Sequence, residues 1–388
     1  MDNFRFQLNT NLFYGIGSSR NIGKLFNDNK YEYITILIDE GVYKNSKYFD
    51  EISAIIKDNS KSLEIVVLRG SEEPDYDYLD EIADKVRSID KIDVLIGIGG
   101  GSCLDVTKAA AGLRTNAGKA VNYRGFDKLI NPSIPTIAIP TTAGTGSEVT
   151  INASFIDKKE MKKLGINGRF MHAAYAILDA MWTISCPYSV AVSSGMDALT
   201  HSLESYMCKQ ANPITRGFSI EAFRLLYKTL PALADDPDNL EKRQTLLCGS
   251  YIAAIGLFNS GSGIAGGFSY PLGVYYGIPH GVGGAIFLPS VIEYNVDKGY
   301  RGYDELYDII EYNKGLSSDE KNIRFVKAIK ELSVRLKVPE YLDKWGINKG
   351  NVNKVYPLLL PLQGAFDQNP VSFSADVDAP KLLDRHVK

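Results

Sequence analysis

Asp197 and His201 stand four residues apart in the stretch MDALTHSLESY (196–206). On a helix that spacing puts a carboxylate and an imidazole on one face, one turn apart, which is half of a divalent-metal site. An ordinary side-chain hydrogen bond between helical neighbours has the same spacing. The chain holds only four histidines, at positions 172, 201, 280 and 386. His280 stands near the end of GGFSYPLGVYYGIPHG (266–281), whose glycines, Pro-His corner and aromatics read as the wall of a pocket. Phe268, Tyr270, Tyr275 and Tyr276 suit a stacked sugar ring, an apolar chain, or plain packing in a helical core. A phenol such as Tyr270 can pass a proton if a nearby cation lowers its pKa from about 10.

A second kind of chemistry is written in glycines. GIGGGS (97–102) falls where a strand meets a helix, so Gly99, Gly100, Gly101 and Ser102 can let backbone amides and a helix N-terminus approach a pyrophosphate. The spacing is not the GxGxxG fingerprint, and a tight strand-to-helix turn explains it equally well. TTAGTGSEVT (141–150) shifts the balance toward a nucleotide, because it is a second glycine-rich turn with hydroxyls from Thr141, Thr142 and Thr150. Asp39 ends an earlier strand, where a carboxylate accepts from both ribose hydroxyls and repels a 2′-phosphate. It therefore favours NAD over NADP; a helix cap is the competing role.

These groups need elements to hold them. EYITILID (32–39), LEIVVLRG (63–70), KIDVLIGIGGG (91–101) and the start of IPTIAIPTTAGTGSEVT (134–150) read as nearly continuous apolar strands. Helical runs lie between them, as in YLDEIADKVRSID and SCLDVTKAAAGL, which predicts a parallel sheet covered on both faces. Beyond about residue 185 the period is helical, in VAVSSGMDALTHSLESYMC, RGFSIEAFRLLYKTLPALA, KRQTLLCGSYIAAIGLF and KNIRFVKAIKELSVRL. The expected organisation is an α/β dinucleotide-binding domain over 1–183 and an all-α metal and substrate domain over 184–388. A chain of 388 residues is long for one core, which agrees with two domains.

Composition removes several function classes. A net charge of −3 offers no basic field for nucleic acid, and Lys158-Lys159 and Lys162-Lys163 read as a solvated turn. No run of about 18 apolar residues suggests a membrane span. Four scattered cysteines without a CxxC pair fit a reducing compartment, and the N-terminus carries no secretory signature. A cytoplasmic protein is expected.

Taken in order, GIGGGS, PTTAGTGSEVT, GMDALTHSLESY and SYPLGVYYGIPHGVGGAIFLP resemble the group III, iron-containing alcohol dehydrogenases, as does FYGIGSSRNIGKL near the start. The resemblance runs from about residue 10 to 300. It implies a dehydroquinate synthase-like fold and NAD(P)-dependent interconversion of an alcohol with an aldehyde or ketone. It also implies a homodimer. Carried over position by position, it assigns the cofactor to Asp39, Gly99, Gly100, Gly101, Ser102, Thr141, Thr142, Thr150 and Lys163. Asp197, His201 and His280 match metal-ligand positions for Fe2+ or Zn2+. A fourth ligand, a histidine fourteen residues before His280, is replaced by Gly266, and a proton-relaying histidine by Tyr270. Tyr270 and the Lys-Lys-Leu-Gly stretch at 162–165 lean toward a branch acting on sugar acids (3-deoxy-octulosonate 8-oxidase-like) or on phosphonoacetaldehyde. Two other readings stay open: a metal-free reductase in which Tyr270, His201 or His280 polarises the substrate, and a non-catalytic dinucleotide-binding protein.

Overall fold

The structure, a computed structural model, describes residues 3–70 and 73–388. It forms two compact units. The first comprises Gln7–Ala191 together with Asp238–Tyr251; the second comprises Val192–Pro237, Ile252–Lys388 and the N-terminal residues up to Phe6.

The first unit is built on a six-stranded sheet in the order β1-β9-β6-β4-β2-β3. Its strands are β1 (Asn11–Tyr14), β2 (Tyr33–Asp39), β3 (Ser62–Leu68), β4 (Val94–Gly99), β6 (Thr136–Pro140) and β9 (Tyr175–Leu178). Every pairing in it is parallel. The central strands are buried along nearly their whole length, as their unbroken apolar sequence requires. Side chains of β2 alternate between two cores. Ile34, Ile36 and Ile38 pack with Ile22 and Phe26 of α1 (Ile22–Asn29) and with Phe49, Ile52 and Ile56 of α3 (Lys47–Asp58). Leu37 faces the other way, toward Leu79 and Ile82 of α4 (Tyr76–Ser88) and Val106 and Ala110 of α5 (Gly101–Thr115).

Register is what matters for function. Ile38 pairs with Ile98, and Gly99 pairs with Pro140. Asp39, the GIGGGS turn and the TTAGTGSEVT turn therefore leave three adjacent strands at one edge of the sheet. The short α2 (Glu40–Asn45) follows Asp39 directly. A smaller sheet of β5 (Gly125–Phe126), β8 (Lys162–Asn167) and β7 (Asn152–Asp157) was not evident in the sequence pattern. Lys158 and Lys159 sit in its hairpin turn as expected, whereas Lys162 and Lys163 lie on β8.

The later helices are α6 (Tyr188–Met207), α7 (Pro213–Asp235), α8 (Leu240–Phe258), α9 (Ile264–Tyr276), α10 (His280–Asp297), α11 (Asp304–Ile310) and α12 (Ser318–Arg335). Within the second unit, Phe268 is wholly buried and stacks on Phe287 at 4.4 Å and on Phe366 at 5.7 Å. Phe268 thus belongs to the core and not to a pocket wall, while Tyr275 is exposed. The Gly- and Pro-rich run 266–281 is mostly helix: α9 carries Pro271 in its interior and ends at Gly277, whose φ of 66° suits glycine.

Candidate metal centre and nucleotide-binding turns

In the second unit α6 brings Asp197 and His201 to one face, and α10 begins with His280. Asp197 Oδ1 lies 3.6 Å from His201 Nε2 and 4.0 Å from His280 Nε2. One donor atom from each residue falls within 4.8 Å of the others. Asp197 and His201 are buried, and His201 Nδ1 has no hydrogen-bond partner among the described residues. A buried carboxylate facing the Nε2 atoms of two imidazoles is a cluster able to hold a divalent cation. Its N,N,O donor set suits Zn2+ or Fe2+, and three protein ligands leave a position open for substrate.

Gly281 explains how two helices meet closely enough for this. A Cβ there would lie 2.4 Å from the Ser193 carbonyl oxygen and 3.1 Å from Asp197 Cβ. The glycine after Pro-His therefore lets the first turn of α10 lie against the backbone of α6. Tyr270, on α9, packs edge-on against the His280 ring with centroids 5.0 Å apart.

Gly266 has no side chain to offer a metal, but its backbone is engaged. Its N–H donates to Glu204 Oε1 at 3.0 Å, and the Gly263 N–H donates to Oε2 at 2.9 Å. Glu204 is 1% exposed and sits on the positive end of α9. Burial pushes its carboxyl above the usual range, opposed by the Gly266 amide and by His201. A Cβ at Gly266 would lie 2.9 Å from Oε2, so the carboxylate takes space that a larger residue there would need. Glu204 was missed in the sequence, although it falls three residues after His201 and seven after Asp197, on the same helical face.

In the first unit the glycine turns are tight for steric reasons. A Cβ at Gly99 would lie 2.5 Å from Cys103 Cβ, and one at Gly101 would lie 2.5 Å from Thr145 Oγ1. Gly100 occupies the N-cap position of α5 in an extended conformation, and no described side chain caps that helix. Its first-turn amides at Gly101 and Ser102 have no intrahelical partner and are able to donate to an anion such as a pyrophosphate. Thr141 N–H donates to Gly99 O at 3.0 Å, joining the two turns, and Thr142 Oγ1 comes within 3.4 Å of a Cβ placed on Gly100. Gly146, at φ 63°, turns the second loop.

The remaining expected cofactor residues already have protein partners. Asp39 caps α2, its Oδ1 accepting from Gly41 N at 2.8 Å and Val42 N at 3.2 Å. Thr150 offers its carbonyl and hydroxyl to Lys108 Nζ at 3.3 and 3.4 Å. Lys163 pairs with Glu73 at 2.9 Å. Lys108, unnoticed in the sequence, is the organiser of the second loop: its ammonium is fully enclosed, also reaches Asn152 O, and lies 3.5 Å from Asp105. Nearby Glu148 is 2% exposed, and burial pushes its carboxyl up to about 7 against the attraction of Lys108.

Comparison with known proteins agrees with both halves. Residues 9–180 match the family model for iron-containing alcohol dehydrogenase, and residues 191–377 match that for the Fe-containing alcohol dehydrogenase family, C-terminal. The chain is 37% identical to a sulfoacetaldehyde reductase of Bilophila wadsworthia over 209 residues, 54% of each protein, and so spans about half of that relative's length. It is 30% identical to the 1,3-propanediol dehydrogenase of Klebsiella pneumoniae over 282 residues, 72% of this chain and 73% of that protein. Among solved structures, an alcohol dehydrogenase from Oenococcus oeni superposes with a TM-score of 0.91 at 26% identity, covering 99% of this chain and 100% of the other. Among the described residues, no helix is long and apolar enough to cross a membrane. With the glycine turns on a parallel sheet, the Asp-His-His cluster on helices and these matches over both units, the chain belongs to the iron-containing alcohol dehydrogenase family.

Proposed function

We propose that this chain is an NAD-dependent oxidoreductase that interconverts a small alcohol and its aldehyde or ketone, with a divalent metal held by Asp197, His201 and His280. The convergence of three donors within 4.8 Å of one another carries this reading. When bound, the metal supplies a Lewis acid for the substrate oxygen, and NAD accepts or gives the hydride. Asp197 contributes the negative charge of the site. His201 and His280 contribute neutral nitrogen donors. Tyr270, on α9 with its ring edge-on to His280, holds a phenolic proton for the alkoxide formed on reduction. Gly99, Gly100, Gly101 and Ser102 cradle the pyrophosphate through backbone amides, Thr141 and Thr142 add hydroxyls, and Asp39 receives the ribose. Thr150 and Lys163 act on the cofactor indirectly, by fixing the loop and strand that border it.

The similarity to a sulfoacetaldehyde reductase supports a short aldehyde carrying an oxyanion, a sulfonate or the closely shaped phosphonate, as substrate class. A metal-free reductase is the competing reading, favoured by glycine at 266, with Tyr270 and His280 hydrogen-bonding the carbonyl directly.

Metal content of protein purified anaerobically without chelator decides between them. Near-stoichiometric iron or zinc, lost in His280→Ala, together with NADH consumption on an aldehyde panel that includes sulfoacetaldehyde, is the expected result. Turnover without metal, even after incubation with Fe2+ and Zn2+, would overturn the metal reading.

A further inference from the structure

Beyond Asp39 the edge of the large sheet continues into the chain that leaves β3. Asp39 pairs with Leu68, and two residues later a Cβ on Gly70 would lie 3.4 Å from Asp39 Oδ2. The chain then reaches the smaller sheet, whose β7 begins at Asn152, just beyond the TTAGTGSEVT turn. Three hydrogen bonds fasten it there. The Ile156 N–H of β7 donates to the Pro74 carbonyl at 2.9 Å, and the Tyr76 hydroxyl donates to the Leu164 carbonyl of β8 at 3.1 Å. Lys163 Nζ, also on β8, donates to Glu73 Oε1 at 2.9 Å. Glu73 is thereby fixed on the stretch that runs from the Asp39 carboxylate to the strands after the second glycine turn. Its other oxygen, Oε2, is shielded from solvent and has no hydrogen-bond partner among the described residues. A buried acceptor of this kind carries a desolvation cost until a donor reaches it.

We propose that Glu73 is a specificity-determining residue for the dinucleotide, favouring an adenosine ribose with a 2′-hydroxyl over one with a 2′-phosphate. The proposal rests on the NAD reading above and extends it from Asp39 to a second carboxylate. Two properties of Glu73 act in the same direction. Its unpartnered Oε2 calls for a donor; a ribose hydroxyl is one, whereas an ionised phosphate offers acceptors and brings about two negative charges. Its Oε1 engages Lys163, an ammonium well placed in chemistry to pair with a phosphate instead. The lysine side chain is only 13% exposed, so water screens this pair weakly. A role limited to fastening the chain to β8 predicts that loss of either partner weakens both nucleotides alike. The specificity role predicts opposite effects. Removing the Glu73 charge releases Lys163 from this pair toward a phosphate, whereas removing Lys163 leaves the carboxylate without its counter-charge.

The test uses the full chain as wild type, Glu73→Gln and Lys163→Met. Binding of NADH and of NADPH is followed by nucleotide fluorescence, without substrate. Wild type should bind NADH more tightly than NADPH. Glu73→Gln should tighten NADPH relative to NADH by about tenfold, the scale of one partly screened charge. Lys163→Met should shift the same ratio by about tenfold the other way. A wild type that prefers NADPH, a Glu73→Gln protein with an unchanged ratio, or two variants that move the ratio in one direction overturns the proposal. Thermal melting identifies a variant that does not fold, and the ratio in the other then decides alone. Wild type that binds neither nucleotide overturns the dinucleotide reading itself. NADH binding with ratios that do not respond overturns only the role of Glu73.

Discussion

Glu148 should make the second glycine turn destabilising at neutral pH, in a way one substitution removes. Its carboxyl ordinarily ionises at 4.5, and burial pushes it up to about 7 in the folded chain. Below pH 4.5 the group is protonated in both folded and unfolded states, so the folded state keeps all the stability that this proton provides. As pH rises from 4.5, the unfolded chain loses its proton first, and the folded state holds it until about 7. Stability therefore falls across that window, by about 1.4 kcal/mol for each pH unit, or about 3 kcal/mol in all, and then levels. Lys108 does not cancel the effect: burial lowers its own pKa, and its ammonium already has Asp105 at 3.5 Å. The Glu148→Gln protein has no proton to lose there. Urea unfolding between pH 4.5 and 8, followed by Trp182 fluorescence in a Trp345→Phe background, gives both profiles. Subtracting one from the other removes every other titrating group, and the variant should gain about 3 kcal/mol on wild type across the window. Parallel profiles would refute the reasoning and mean that the carboxylate is ionised and fully compensated in the folded chain.

Three further perturbations test the site. Gly281→Ala places a methyl group 2.4 Å from the Ser193 carbonyl oxygen, so it should cost about 1–3 kcal/mol of stability and weaken zinc at least tenfold; calorimetry and chelator competition measure the two. Gly266→His should tighten zinc by about tenfold or more by restoring a fourth donor once the Glu204 carboxylate, which a Cβ there would meet at 2.9 Å, gives way. Unchanged affinity there would mean that α9 no longer aims this position at the metal. Asp39→Ala should cost about 1 kcal/mol through loss of the α2 cap and raise the preference for NADPH relative to NADH, read as a ratio of kcat/KM values.

The fold was legible where one period dominates a long segment. Buried parallel strands such as β4 need unbroken apolar runs, and the chain supplies VLIGIG there. The hairpin of β7 and β8 was hidden because its residues are half-buried and β8 opens on two lysines. α9 and the first turns of α10 were hidden for another reason. Glycine and proline disfavour helix, yet at Gly281 and Gly283 the small residue is what allows one helix to lie on another, and packing outweighs propensity.

The site divides along a similar line. The Asp197-His201-His280 cluster could be read from the sequence because imidazole and carboxylate at four-residue spacing carry a chemical signature of their own. The residues that let the helices meet there could not, because glycines such as Gly281 and Gly283 look like any others until the helices are packed. Glu204 lies between these cases: its place on the Asp197–His201 face was visible, but its two partners are amides more than fifty residues away in sequence. Counting side-chain ligands alone makes Gly266 a defect. Counting its N–H on Glu204 and its carbonyl on Ser269 makes it the point at which α6, α9 and α10 are tied together around the three remaining donors.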